Sequence, residues 1–318
     1  MDEDLWRVIY QKGFFFQKVL GIFKGYCRRV KDIFRLRQFD LIYIHLWVTP
    51  IGGSFFERIF AAFSKKMIYD IDDMVFLGHS SDANTKLAFL KGKSKSMLLM
   101  KKADHVIACT PKLHEFVMQF NSEVSDISST INTEIYQPKS SQELNSPIII
   151  GWSGSHSTSK YLHLLSAVFL RLQQRYNIVL KVIGDAEFLI PAVKVDAMEW
   201  NLDSEVQELK TFDIGVYPLP DEEWVYGKSG LKALQYMSLG IPTVATDIGA
   251  NKRIIKNGIN GFLVKNEEEW IDCIIRLISD KALRERMAAN AIQTVQDQFS
   301  LDANQHKYLN IFKTVIEK

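Results

Sequence analysis

Short apolar runs alternate with amphipathic stretches along most of this chain. The runs Asp40–His45, Lys66–Asp72 and Asp104–Cys109 are mostly apolar and β-branched or aromatic, which predicts short buried strands. A helical stretch near Ser54–Ser64 separates the first two. Thr110-Pro111 follows the third, and a Thr cap with proline behind it opens a helix over His114–Phe120. Gln137–Pro147 is polar and reads as a linker. The alternation then resumes, with strands expected at Ile148–Gly151, Ile178–Gly184, Phe212–Tyr217, Pro242–Thr246 and Phe262–Val264. Helices are expected over Tyr161–Tyr176, Glu267–Leu277 and Lys281–Gln298. Strands alternating with helices predict an α/β protein of two doubly wound parallel sheets, with domains at 1–140 and 141–318.

Ligands of such sheets bind beyond the carboxyl ends of the strands. The loops Gly151–Lys160, Gly184–Glu187, Pro218–Lys228 and Thr246–Asn251 all fall there and define one crevice. The most informative segment starts at Gly227-Lys228-Ser229-Gly230 and runs through a helix to Gly240. A helix opened by small residues offers unpaired N–H groups and a positive dipole end to an anion. Lys228, Lys232 and Gln235 stand at i, i+4 and i+7, which predicts one shared face above Leu231, Leu234 and Met237. That face suits a diphosphate; a surface helix with a solvated lysine stripe is the plainer alternative. A Walker A loop does not fit, because Glu222 stands where its first glycine belongs.

The loop Gly151–Lys160 carries Ser153, Gly154, Ser155, His156 and Lys160. Its hydroxyls and amides suit phosphate oxygens, or equally an ordinary helix cap. Ser153 replaces the second glycine of a dinucleotide fingerprint. In the first half, Asp70, Asp72 and Asp73 close a strand, with Asp70 and Asp72 on one side by alternation. They read as a base, as partners for sugar hydroxyls, or as solvated acids with one helix cap. No His or Cys stands at ligand spacing, so no metal is expected. His45 ends a neighbouring strand, as a cleft residue or a structural histidine.

The formal charge of +2 conceals a basic N-terminal region. Between Arg7 and Arg37 the only acid is Asp32, and the cations interleave with Phe14, Phe15, Phe16, Leu20, Phe23 and Val30. This pattern fits an anionic membrane surface, or a helix packed on the first sheet with solvated cations. Nucleic acid is not expected, since no binding module accompanies the patch. No apolar run is long enough to span a bilayer, and the acidic start Met1-Asp2-Glu3-Asp4 is unlike a signal peptide. Cys27, Cys109 and Cys273 show no disulfide or zinc spacing, and the expectation is a cytoplasmic protein.

Taken together, the motifs resemble the family-four retaining glycosyltransferases of bacterial surface-polysaccharide assembly, which have the GT-B fold. The residues that carry the likeness are Ile150–Ser155, Phe212–Gly215, Gly227–Pro242 and Asn257–Leu263. The resemblance implies two Rossmann-like domains facing across a cleft and a retaining, metal-independent hexosyltransferase without a cofactor. It implies that a nucleotide-sugar donor meets Ser153, Gly154, Ser155, His156, Lys160, Gly227, Lys228, Ser229, Gly230, Lys232 and Gln235, with its base and ribose near Gly184. Asp72 and Asp73 become the catalytic candidates on the acceptor side, and the acceptor is a saccharide, lipid-linked at the inner face of the membrane. The chain departs from the pattern at three places. Many relatives have glutamates where Gly227 and Gln235 stand, many have a histidine near Asp72, and no strand precedes Asp40, which implies a shortened N-terminal domain. A non-catalytic nucleotide-sugar-binding remnant or partner subunit, and a sugar-nucleotide epimerase, are the alternatives on the same fold.

Overall fold

The computed structural model describes residues 13–49, 52–77 and 93–318. Residues 7–12 of the basic region lie outside this set. By backbone contacts the chain divides into two units, Met1–Asp126 with Leu309–Lys318, and Ile127–Tyr308.

The first unit holds a parallel sheet in the order β1-β2-β3-β4, from Ile42–His45, Met67–Ile71, His105–Ala108 and Val124–Asp126. β2 is buried along its whole length, and continuous apolar runs are what such central parallel strands require. Helices Phe55–Phe63, Lys93–Lys102 and Pro111–Met118 cover one face, with Phe60, Leu99, Leu113 and Val117 packed in one core with Tyr69 and Val106. Thr110 caps the last of these helices by accepting the Leu113 N–H at 3.2 Å, and Pro111 is its first residue. The short strand β4 was not expected; its half-buried Val-Ser-Asp sequence carries no apolar run to announce it.

The helix Phe15–Ile33 buries none of its residues. Tyr26 packs against Phe56 of the next helix, whereas Phe15, Phe16, Leu20 and Phe23 are exposed by 55–85%.

The second unit holds six parallel strands in the order β10-β9-β8-β5-β6-β7. They are β5 Ile148–Ser153, β6 Ile178–Ile183, β7 Val195–Met198, β8 Ile214–Tyr217, β9 Thr243–Thr246 and β10 Phe262–Val264. Strand order reverses at β5, whose neighbours are β6 on one side and β8 on the other, and such a switch point is where a crevice opens. Trp152, Phe169, Leu180, Val216 and Trp270 anchor the core on one face. Each fully buried side chain of this size contributes about 1.5–3 kcal/mol.

The expected helix Tyr161–Tyr176 is instead a 3₁₀ stretch, Lys160–Leu165, followed by an α-helix, Ser166–Gln173. Gln137–Pro147 is pinned into this unit: Gln142 Nε2 donates to the Gly240 carbonyl at 2.8 Å and Lys139 Nζ to that of Phe212 at 2.9 Å. Helix Lys281–Thr294 runs into a π-helical turn, Val295–Phe299, before the last helix, Leu301–Glu317.

Candidate functional site

The carboxyl ends of β5, β6 and β7 close on one another through backbone. Gly154 N–H donates to the Ile183 carbonyl at 2.9 Å, and Gly184 N–H to that of Met198 at 2.8 Å. A Cβ on Gly184 would stand 1.8 Å from the Gly154 carbonyl oxygen, and its φ of +106° is one that side chains rarely tolerate. Ser153 is held from behind, its N–H donating to Tyr236 Oη at 2.8 Å. Burial raises the Tyr236 pKa, so this buried phenol stays protonated.

Above this floor sits Lys232. Its ammonium lies 4.2 Å from the Trp152 ring centroid, 5.5 Å from that of Tyr217 and 3.5 Å from Thr158 Oγ1. A Cβ on Gly154 would come within 2.3 Å of it. Burial, then the neighbouring Lys228, push its pKa down to about 7. Among the described residues no carboxylate forms an ion pair with it. A partly covered cation among aromatic rings is stabilised by their faces but remains short of a counter-charge.

Lys228 is close enough to act on it electrostatically, and Lys160 stands beside Tyr161 in the segment after β5. The Tyr161 and Trp224 rings pack 5.4 Å apart at a 33° tilt, joining the segment after β5 to the loop after β8. Lys160 lies 5.5 Å from the Tyr161 ring and Lys228 5.4 Å from the Trp224 ring. The expectation of a single Lys228–Lys232–Gln235 helical face is corrected here. Helix Leu231–Ser238 begins only after Gly230, whose lack of a side-chain cap leaves its first N–H groups open. Lys228 precedes the helix in extended backbone, after the 3₁₀ turn Glu223–Gly227 in which Gly227 is buried. Leu231 is 43% exposed rather than packed on the sheet, while Ser229 is half-buried in the turn.

Gln235 leaves the lysines altogether. Its amide nitrogen donates to Tyr136 Oη at 2.9 Å and to Glu205 Oε1 at 3.2 Å, and Tyr136 Oη donates to Glu205 Oε2 at 3.0 Å. Burial lifts the Tyr136 pKa to about 12, which keeps its proton in place for this bond. His156 is exposed, with Nδ1 2.9 Å from Asp185 Oδ1. Burial opposes the charge on Asp185, but bonds from Ser159 and His156 hold its pKa below the ordinary carboxylate value. Asp185 thereby ties the Ser155–Ser159 turn to the end of β6. Ser155 Oγ lies 2.9 Å from Ser157 Oγ and 3.3 Å from Thr158 Oγ1, inside the same turn.

Sequence reasoning did not single out Asp185, Glu205, Tyr136, Tyr161 or Trp224. Tyr161 and Trp224 carried a signal in standing beside Lys160 and Lys228, whereas Tyr136 and Glu205 meet only through the fold.

In the first unit, β1 and β2 bring His45 and the acidic residues to one edge. His45 Nε2 lies 3.5 Å from Asp72 Oδ2. Asp70 is buried against the Tyr43 hydroxyl; burial raises its pKa, which that bond and His45 counteract. Asp73 Oδ1 accepts the Met74 N–H at 2.7 Å, so part of its capacity goes to the turn. Among the described residues no three His, Cys, Asp or Glu side chains gather in a metal-binding group, and no helix is long and apolar enough to cross a membrane.

Two parallel α/β units, the second with a cationic, glycine-floored crevice, are the architecture of the GT-B fold. Residues 147–280 match the family model described as Glycosyl transferases group 1. An uncharacterized glycosyltransferase of Methanocaldococcus jannaschii is 32% identical over 110 residues, 34% of this chain and 27% of that protein. The D-inositol 3-phosphate glycosyltransferase of an Arthrobacter species is 25% identical over 298 residues, 82% of this chain and 69% of the relative. The crystal structure of Anabaena HepE in complex with UDP and glucose superposes with a TM-score of 0.67 at 19% identity, covering 89% of this chain and 80% of that one.

Proposed function

We propose that this glycosyltransferase moves a sugar from a nucleoside-diphosphate donor to a saccharide acceptor with retention of anomeric configuration. The observation that carries the reading is Lys232, a partly covered ammonium without a carboxylate partner among the described residues, next to Lys228 at a capless helix start. A diphosphate supplies the missing counter-charge. In the transfer, the acceptor oxygen bonds to the anomeric carbon while the bond from that carbon to the diphosphate oxygen breaks. The bonding electrons leave with the diphosphate, and the acceptor proton follows to it. The lysines and helix dipole stabilise the growing negative charge, which removes the need for a metal ion. Ser153–Ser155, His156, Ser229, Gly230 and Gly184 line the same crevice, and Asp72, near His45, takes an acceptor hydroxyl.

HepE bound to UDP and glucose supports a uridine donor. The acceptor is lipid-linked in this reading, with the protein peripheral on the cytoplasmic face of an anionic membrane. The exposed phenylalanines and adjoining cations of the helix Phe15–Ile33 support that placement. Calorimetry with UDP and GDP is the first test. Binding of one of them, weakened in Lys228→Ala, is expected; equal affinity in both proteins overturns the phosphate assignment. Transfer of labelled sugar to membrane extract separates a transferase from a binding protein, and conversion of the donor without acceptor marks an epimerase.

A further inference from the structure

The chain turns sharply where β1 ends, at the acidic edge of the first unit. Trp47 N–H donates back to the His45 carbonyl at 2.8 Å, closing a three-residue turn whose centre, Leu46, has a φ of +59°. Leu46 N–H still follows the ladder and donates to the Asp70 carbonyl at 3.0 Å. Turns of this hand are rare, and a left-handed residue other than glycine costs about 1–3 kcal/mol. Such a residue persists only where its surroundings over-determine it. The next three residues are each fastened. Trp47 Nε1 donates to Ser96 Oγ at 3.3 Å, and the Val48 carbonyl accepts Arg29 Nε at 2.9 Å. Thr49 is buried, and its N–H and hydroxyl donate to Glu57 Oε1 at 3.1 and 3.3 Å. Its carbonyl and hydroxyl oxygens accept Lys95 Nζ at 2.7 and 3.0 Å.

Glu57 and Lys95 form a buried ion pair, 0% and 1% exposed, with Nζ 3.7 Å from Oε1. Burial pushes the Lys95 pKa down, and Glu57 draws it back up. The other carboxylate oxygen, Glu57 Oε2, has no hydrogen-bond partner among the described residues. A buried pair with an orphaned oxygen is a poor source of stability, because desolvating two charges offsets most of their attraction. It is a good source of orientation, since the N–H, carbonyl and hydroxyl of Thr49 are all held. Thr49 ends the short segment that begins at the strained turn. At the near end of that turn stands His45, whose Nε2 lies 3.5 Å from Asp72 Oδ2.

We infer that Glu57 and Lys95 are positioning residues: by clamping Thr49 they hold the strained Leu46 turn, and the turn sets the His45 ring against Asp72. This rests on the reading in which Asp72 takes an acceptor hydroxyl, and it adds how that edge is aimed. Without the clamp Leu46 relaxes to negative φ, and the peptides on either side of it rotate. A misplacement of about 1 Å in a positioning group can cost roughly a hundredfold in rate.

Histidine-ring NMR of the full chain tests this, with the His45 signal assigned by its loss in His45→Gln. Asp72→Asn is expected to move that signal. Glu57→Gln combined with Lys95→Met leaves neither charge buried alone and keeps an acceptor for the Thr49 N–H. This double variant is expected to stay folded and to move the His45 signal in the same direction as Asp72→Asn. Thr49→Val, a smaller change, is expected to move it part of the way. Leu46→Gly adopts the turn without strain, so adding it to the double variant is expected to return the signal towards that of the intact chain. Transfer of labelled sugar to membrane extract should fall about tenfold or more in the double variant, with UDP affinity by calorimetry unchanged. A His45 signal that Asp72→Asn does not move, or that neither clamp variant moves, overturns the inference, as does a glycine that restores nothing. Each of these outcomes leaves the donor reading intact. Failure of both UDP and GDP to bind overturns the donor reading instead, and the His45 measurement still decides the role of the clamp.

Discussion

The two sheets present opposite charge at their carboxyl ends. In the first unit β1 and β2 deliver Asp70, Asp72 and Asp73 with one histidine, and these groups largely satisfy each other or the local turn. In the second unit the loops deliver Lys160, Lys228 and Lys232 over a glycine floor, and the carboxylates nearby are engaged elsewhere. An edge that pairs its own charges is complete without a ligand. In the second edge the Lys232 ammonium has no carboxylate partner among the described residues, and a partly covered charge of that kind costs stability unless something anionic arrives. The second arrangement is the one that points to a substrate.

Four changes test that contrast. The largest effect is expected from Gly184→Ala, where a Cβ must fit within 1.8 Å of backbone at positive φ. It should lower stability by about 2–4 kcal/mol in urea titration and abolish nucleotide binding. Lys228→Ala comes next, with the fold intact and UDP affinity reduced about ten- to a hundredfold, the usual loss for one charged hydrogen bond. Third, UDP affinity should fall as pH rises above 7. Lys232 is already charged below its value of about 7 and binds the anion without proton exchange; above it, binding must take up a proton. Calorimetry in two buffers of different ionisation enthalpy should show that uptake at pH 8 and none at pH 6, and Lys232→Met should remove it. The same depressed value means that the unfolded chain binds the extra proton between pH 7 and 10.5, so this group makes stability rise across that window. The smallest effect belongs to Asp72→Asn: UDP affinity unchanged and stability within about 0.5 kcal/mol, with only transfer to the acceptor reduced.

The alternation of strands and helices was legible because buried parallel strands are uninterrupted apolar runs, as in β2 and β6. β4 and β7 were not, since Val-Ser-Asp and Val-Asp-Ala-Met carry polar residues at half-exposed edges. The lysines of the crevice were legible from their glycine and serine neighbours. Their geometry was not: helical periodicity placed Lys228 and Gln235 on one face, but Lys228 is extended and the helix begins only after Gly230. Nor could local pattern announce the Tyr136–Glu205–Gln235 triangle, whose members are separated by 69, 99 and 30 positions. Contacts of that span depend on the completed sheet, and no short window of sequence contains them.

The meeting of Gly154 and Gly184 also limits how this protein can diverge. At these two positions the floor is main chain alone, and any larger residue there collides with backbone, an aromatic ring or the Lys232 ammonium. Point mutation therefore has little to adjust at the centre of the crevice. Under the proposed donor reading, a change in ligand preference arises at the rim, through residues such as Trp200 and Trp224. New specificities should thus be reachable by few substitutions there, while the glycine floor stays fixed.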